Sequence, residues 1–199
     1  MPRKKLIRTR EHVYHVTSRS NNKEWFYIPS NEAWKISLRL LRKSILKFKI
    51  DIHAFVLMNN HYHLMVKTPE CDIDVFMQYF NRNMSLRINQ STGKINHVFG
   101  GPYKWSIINN NKYYLNALKY LYQNPVRAQI VSRVESYPYS TLNECQLGFK
   151  LKCYEDHLCL DWLNQHYLIE DQIRIKNGLR RTHFKPTAEK SSRRHIKIT

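Results

Sequence analysis

Residues 51–67 constrain this chain more than any other stretch. Ile52-His53-Ala54-Phe55-Val56-Leu57 and His61-Tyr62-His63-Leu64-Met65-Val66 are two apolar, β-prone runs on either side of Met58-Asn59-Asn60. The Asn pair suits a two-residue hairpin turn, because asparagine tolerates the positive φ such turns use. Alternate residues of a strand share a face. His61 and His63 should then point one way, and Tyr62, Leu64 and Val66 the other. Two imidazoles side by side on a rigid hairpin can hold a divalent metal. Taken alone, a bare His-x-His is more often a pair of exposed or hydrogen-bonded strand histidines.

The flanking pattern extends the hairpin into a fold. His12 to Ser18 alternates and reads as a first strand, and Arg19 to Lys23 as a polar loop. Ser30 or Asn31 can cap a helix to about Phe48, on which Trp34, Leu38, Leu41, Ile45 and Phe48 form one stripe. Asp72 or Asp74 starts a second helix through Phe76, Phe80 and Leu86, followed by a turn-rich loop from Ser91 to Pro102. Tyr103 to Ile108 reads as a fourth strand. A third helix begins at Asn109 to Asn111 and is closed by Pro125. The order βαββαβ predicts an α+β, ferredoxin-like sandwich with an antiparallel sheet. Residues 1–11 form a basic N-terminal arm, 12–132 the main domain, 133–170 a helical extension and 171–199 a basic, flexible tail. Short helices are expected between Thr141 and Leu168.

Charge narrows the partner. Lys and Arg number 33 against 15 Asp and Glu, a formal charge of +18. Such a surplus points to a polyanion, most simply nucleic acid. No run approaches the ~18 apolar residues of a membrane span. The basic start, Met1 to Arg10, has no apolar core behind it and does not read as a signal peptide. A cytoplasmic, nucleoid-associated protein without a membrane partner is expected. The four cysteines fit that compartment as free thiols. Cys145, Cys153, His157 and Cys159 lack the Cys-x-x-Cys pair of a zinc site.

On the third helix, Tyr114, Leu115, Leu118, Leu121 and Tyr122 make the apolar stripe. Tyr120 lies off it, one turn from Asn124. Tyr113, Tyr114 and Tyr122 have Ala117, Leu118 and Val126 at that position instead. A phenol beside a neutral oxygen ligand can complete a site begun by His61 and His63. An isolated helix with such a tyrosine reads more simply as carrying a surface side chain.

Four motifs in order over about residues 12–141 carry a resemblance. They are Tyr14-His15-Val16-Thr17-Ser18-Arg19-Ser20-Asn21-Asn22, Leu57 to Val66, Tyr120-Leu121-Tyr122-Gln123-Asn124-Pro125-Val126-Arg127-Ala128, and Tyr137-Pro138-Tyr139-Ser140-Thr141. The chain resembles the REP-associated tyrosine transposases, which belong to the single-tyrosine HUH transposases of bacteria. The resemblance implies a ferredoxin-like catalytic domain, with Tyr120 as nucleophile and His61, His63 and Asn124 as ligands of Mg²⁺ or Mn²⁺. It implies cleavage of single-stranded DNA near the foot of a hairpin, leaving a 5′-phosphotyrosine and a free 3′-hydroxyl. An ordinary phenol, with pKa near 10, costs about 4 kcal/mol to ionise at pH 7. Charge stabilisation by the metal offsets part of that. The family usually has Gly where this chain has Ser20 and Gln129, which affects local backbone and DNA fit.

Arg127, Lys104, Arg8, Arg10 and Arg19 are the expected DNA contacts, on a single-stranded or hairpin partner bound by a monomer or homodimer. Trp105 and Tyr114, though interleaved with basic residues, are expected in the core rather than stacked on bases. Three alternatives stand beside this reading: another HUH nuclease such as a replication initiator or relaxase, a DNA-binding protein that has lost cleavage, and a metal-independent RNA-binding module.

Overall fold

The computed structural model describes residues 5–95, 97–143, 147–152 and 159–165. Four strands, β1 (Val13–Arg19), β2 (Asp51–Leu57), β3 (His61–Lys67) and β4 (Lys104–Ile108), form one sheet in the order β2-β3-β1-β4. Every neighbouring pair is antiparallel. Helices α1 (Ser30–Phe48) and α2 (Ile73–Thr92) pack against each other, and α3 (Asn111–Tyr122) packs on β2, β3 and β4. This is the expected βαββαβ arrangement, followed by the expected third helix.

Strand alternation divides the sheet into two environments. Tyr14, Val16, Phe55, Tyr62, Leu64 and Val66 are fully buried on one face. There Trp34 of α1 stacks on Phe55, and Phe80 of α2 meets both Phe55 and Tyr62. Burying one such aromatic contributes roughly 1.5–3 kcal/mol, so this face carries the main core. His15, Thr17, Arg19, His61 and His63 share the other face, under α3. In register, Thr17 lies opposite His63 and Lys104, and Arg19 opposite His61.

The hairpin turn has the expected length and a different chemistry. Met58 N–H donates to His61 C=O at 2.8 Å, closing a two-residue loop. Neither Asn59 nor Asn60 has positive φ. Their side chains act as connectors instead. Asn59 Oδ1 accepts from Ser30 Oγ at 3.1 Å, and Asn60 Nδ2 donates to Lys23 C=O at 2.6 Å. Ser30 is therefore tied to the turn rather than capping α1, whose first turn is entered from Pro29 with no side-chain cap. Helix α2 runs to Thr92, past the expected loop start at Ser91, and ends on Gly93 at φ 67°. Pro125 does not close α3. It opens a short helix, α4 (Asn124–Arg127), whose first turn needs no N–H from it.

The extension differs from the expectation of helices. Among the described residues after Thr141, only α5 (Leu160–Asn164) is helical. Residues 137–143 run along the outer edge of β2. Leu57 N–H donates to Tyr139 C=O at 3.0 Å, Thr141 N–H to Phe55 C=O at 2.9 Å, and Lys152 N–H to Ile52 C=O at 2.9 Å. The unpaired backbone of an edge strand is an aggregation hazard, and this segment covers it. No helix among the described residues is long and apolar enough to cross a membrane. The tail from 171 on lies outside the described residues.

Two stability predictions arise from this backbone. Gln129 has φ 57°, the left-handed region that favours the glycine usual in the resembled family. Ser20, the other departure, has φ −59° and no such strain. We expect Gln129→Gly to raise the free energy of unfolding by about 1 kcal/mol, read from urea denaturation; a loss of stability would contradict the strain argument.

The second concerns His53, which sits in a register shift of β2. Its Nδ1 is joined to Tyr114 Oη of α3 by a 2.9 Å hydrogen bond, while its buried Nε2 has no partner among the described residues. Burial pushes its pKa down to about 4. The unfolded chain, with His near 6.5, takes up the proton first as pH falls. Its contribution to stability is thus full above pH 6.5 and is lost toward pH 4. The acid-side slope of the urea midpoint should be shallower in His53→Gln; an unchanged slope would show that His53 does not contribute.

Candidate active site

Helix α3 is started by Asn110, whose Oδ1 accepts from Tyr113 N–H at 2.8 Å. Tyr114, Leu118, Leu121 and Tyr122 are buried as expected; Ala117 and Lys119 are buried as well, and Leu115 is only half-buried. Tyr120 is not on an open face. Its ring is half-buried and meets His63 edge-on, with centroids 5.6 Å apart, and His15 with centroids 6.2 Å apart. The Arg127 guanidinium lies over the same ring, 5.1 Å from its centroid.

The end of α3 is held in place. Its chain turns into α4 at Gln123, whose Nε2 donates to the carbonyls of Leu163 and Gln165, each at 2.8 Å. Lys119 lies with its ammonium 5.0 Å from the Trp162 ring centroid. The α5 segment thus clamps the helix that carries Tyr120. Asn124 sits on α4, not on a continuous α3, yet remains one turn above Tyr120. Its Nδ2 donates to Tyr120 C=O at 2.8 Å, which leaves Oδ1 as the end able to act as a ligand.

His61 and His63 share a face as expected, with ring centroids 5.2 Å apart. His61 Nδ1 is 2.7 Å from Asn60 Oδ1. The Asn60 amide is oriented by its donation to Lys23, so Oδ1 accepts and His61 carries its proton on Nδ1. Nε2 of His61 then holds a lone pair. Burial pushes the His61 pKa to about 4 and that of His63 well below its usual value, with Arg19 adding to both shifts. Both rings are neutral at pH 7, the form that binds a metal. His63 Nδ1 is engaged by His15 Nε2 at 3.0 Å, so only its Nε2 remains for a ligand. Two imidazole nitrogens and one amide oxygen fit a divalent ion such as Mn²⁺. No three His, Cys, Asp or Glu side chains among the described residues are grouped to hold a metal. Of the dismissed zinc set, Cys159 is exposed and free, and Cys145, Cys153 and His157 lie outside the described residues.

The expected DNA contacts separate. Arg127, Arg19 and Lys104 are exposed; Arg19 and Lys104 share the face of the histidines, and Arg127 touches Tyr120. Arg8 is taken up by Asp74 of α2 in a two-bond ion pair at 3.0 and 2.7 Å, on the Tyr14 side of the sheet. It does not join that group. Arg10 is exposed in the same arm. Sequence reasoning missed His15, Lys119, Gln123 and Trp162, and read Asn60 only as a turn residue. The signal for His15 was its period-two spacing with Thr17 and Arg19.

A ferredoxin-like sheet with paired histidines on one face and a helical tyrosine against them defines the HUH class of single-tyrosine proteins. Comparison narrows this further. The family model "Transposase IS200 like" matches residues 9–124, and the chain belongs to that family. A REP-associated tyrosine transposase of Escherichia coli (strain K12) is 31% identical over 109 residues, 53% of this chain and 64% of the relative. The chain therefore spans somewhat less than two thirds of that curated relative. A solved structure of a REP-associated tyrosine transposase bound to a REP hairpin superposes with a TM-score of 0.62 at 17% identity. It covers 84% of this chain and 95% of the other, a likeness of fold.

Proposed function

We propose that the chain is a metal-dependent, single-stranded DNA nuclease and strand transferase that moves hairpin-forming repeat DNA through a covalent 5′-phosphotyrosine. The observation that carries this is the edge-on contact of Tyr120 with His63, with Arg127 against the same phenol. The REP hairpin named for the structural relative supports the substrate class. The excess of 33 Lys and Arg over 15 Asp and Glu suits a polyanionic strand.

Tyr120 Oη forms a bond to phosphorus while the P–O3′ bond breaks. The phenol gives up its proton, the leaving 3′-oxygen gains one, and the 5′ end stays on the tyrosine. One phosphoester replaces another, so the step reverses onto a new 3′-hydroxyl without ATP. His61, His63 and Asn124 would hold Mg²⁺ or Mn²⁺; with two imidazoles in the set we favour Mn²⁺. The ion supplies charge stabilisation to the phosphate in the transition state. Arg127 adds a positive charge against the ring of the attacking tyrosine. Arg19 and Lys104 would hold neighbouring phosphates on the histidine face, and the exposed Arg10 would add charge in the N-terminal arm. One chain supplies all four central groups, which favours the monomer over the homodimer as the catalytic unit. The protein works in the cytoplasm, at the nucleoid where its DNA lies.

The test is a hairpin oligonucleotide with a single-stranded foot, incubated with the protein and Mn²⁺. A species that keeps DNA on protein through denaturing electrophoresis is expected. Tight binding with no such species would favour a DNA-binding protein that has lost cleavage.

A further inference from the structure

His15 is a buried side chain of the site to which the sequence motifs assigned no role. It lies in β1, two residues from the Thr17 that faces His63, so the two histidines meet diagonally on one face of the sheet. Their residues are 2% and 5% exposed. His15 Nε2 is 3.0 Å from His63 Nδ1, and the ring planes differ by only 20°. The centroids are 5.2 Å apart, the separation of two rings joined in plane through that contact.

Between neutral imidazoles such a contact holds one proton, carried by one nitrogen and accepted by the other. It therefore has two states. Where His15 donates, His63 must carry its own proton on Nε2, and the nitrogen left for a ligand has no lone pair. Where His63 donates, Nε2 keeps its lone pair. Beside it, Asn60 has already fixed His61 with the proton on Nδ1 and the lone pair on Nε2. With Nδ1 engaged on both rings, each histidine needs its lone pair on Nε2 to act as a ligand. Buried polar partners that orient ligand histidines typically change metal affinity by about 10- to 100-fold when lost.

We propose that His15 is a positioning residue: it accepts the Nδ1 proton of His63 and so holds His63 in the tautomer whose Nε2 can bind a divalent cation. This rests on the metal reading above. In this arrangement His15 acts through His63 rather than as a ligand itself. Its ring also borders Tyr120, so one side chain sets the orientation of both a ligand and the nucleophile.

Two measurements on the full-length chain test this. In ¹⁵N-labelled, metal-free protein, long-range ¹H–¹⁵N spectra report which histidine nitrogens carry protons. We expect His63 protonated on Nδ1 and bare on Nε2; the reverse pattern overturns the inference without any variant. The second is Mn²⁺ affinity, followed by electron paramagnetic resonance in a Tyr120→Phe background with the hairpin oligonucleotide bound, so that nothing is cleaved. His15→Phe keeps a ring without an acceptor and should weaken Mn²⁺ binding by about 10- to 100-fold. His15→Gln, which offers an amide oxygen, should recover part of it and serves alone if the Phe variant does not fold. Wild-type affinity in both variants overturns the inference alone. A parent chain that binds no Mn²⁺ overturns the metal reading, and the inference with it.

Discussion

Tyr120→Phe should abolish both cleavage of a hairpin oligonucleotide and the covalent protein–DNA species, lowering the rate by on the order of 10⁴-fold or more. The substitution removes one oxygen from a half-buried ring and leaves the ring contacts with His63 and His15 intact. Folding should change by no more than about 0.5 kcal/mol, and DNA binding should persist because it rests on Lys and Arg. A variant that forms the adduct at the wild-type rate would move the nucleophile elsewhere. Of the neighbouring tyrosines, Tyr122 is turned away from the histidines: it is buried, with Oη 3.1 Å from Thr141 Oγ1 beside β2.

His61→Ala should cut cleavage by on the order of 10²-fold or more while leaving DNA affinity within about threefold. His61 is the cleaner of the two histidines to remove, being half-buried and hydrogen-bonded to the neighbouring Asn60. His63→Ala should have the same effect on cleavage but also destabilise the fold by about 2 kcal/mol, since it empties space in a packed strand. EDTA should reproduce the His61→Ala result in the wild-type chain, and added Mn²⁺ should reverse the effect of EDTA but not of the substitution. Full cleavage in EDTA contradicts the metal reading.

The hairpin, the order of elements and the shared face of His61 and His63 were legible because they depend on local period and on the apolar pattern. The place of Tyr120 off its helix stripe was legible too, but not its half-burial against His63. Errors arose where one residue type serves two local roles. Proline ends helices and also opens them, and at Pro125 the second role applies. Asparagine allows positive φ and also bridges chains, and Asn59 and Asn60 do the latter. Other features were hidden because they are long-range. The run at 137–143 bonds to β2 through backbone groups and through the Tyr137 and Thr141 side chains, some eighty positions away in sequence. Gln123 and Lys119 are sealed by α5, some forty positions away in sequence. His15 reads as one more residue of an alternating strand until β3 places His63 against it.

The central claim is that the phenol oxygen of Tyr120 becomes bonded to the 5′ phosphate of the cleaved strand. Its most direct test is to digest the denatured adduct with trypsin and nuclease and sequence the modified peptide by mass spectrometry. Residues 120–127 form one tryptic peptide that holds both Tyr120 and Tyr122, so fragmentation separates the two. The account predicts a 5′-nucleotide on Tyr120 alone. A nucleotide on Tyr122, on any other residue, or on no residue of a chain that has cleaved its DNA would contradict it.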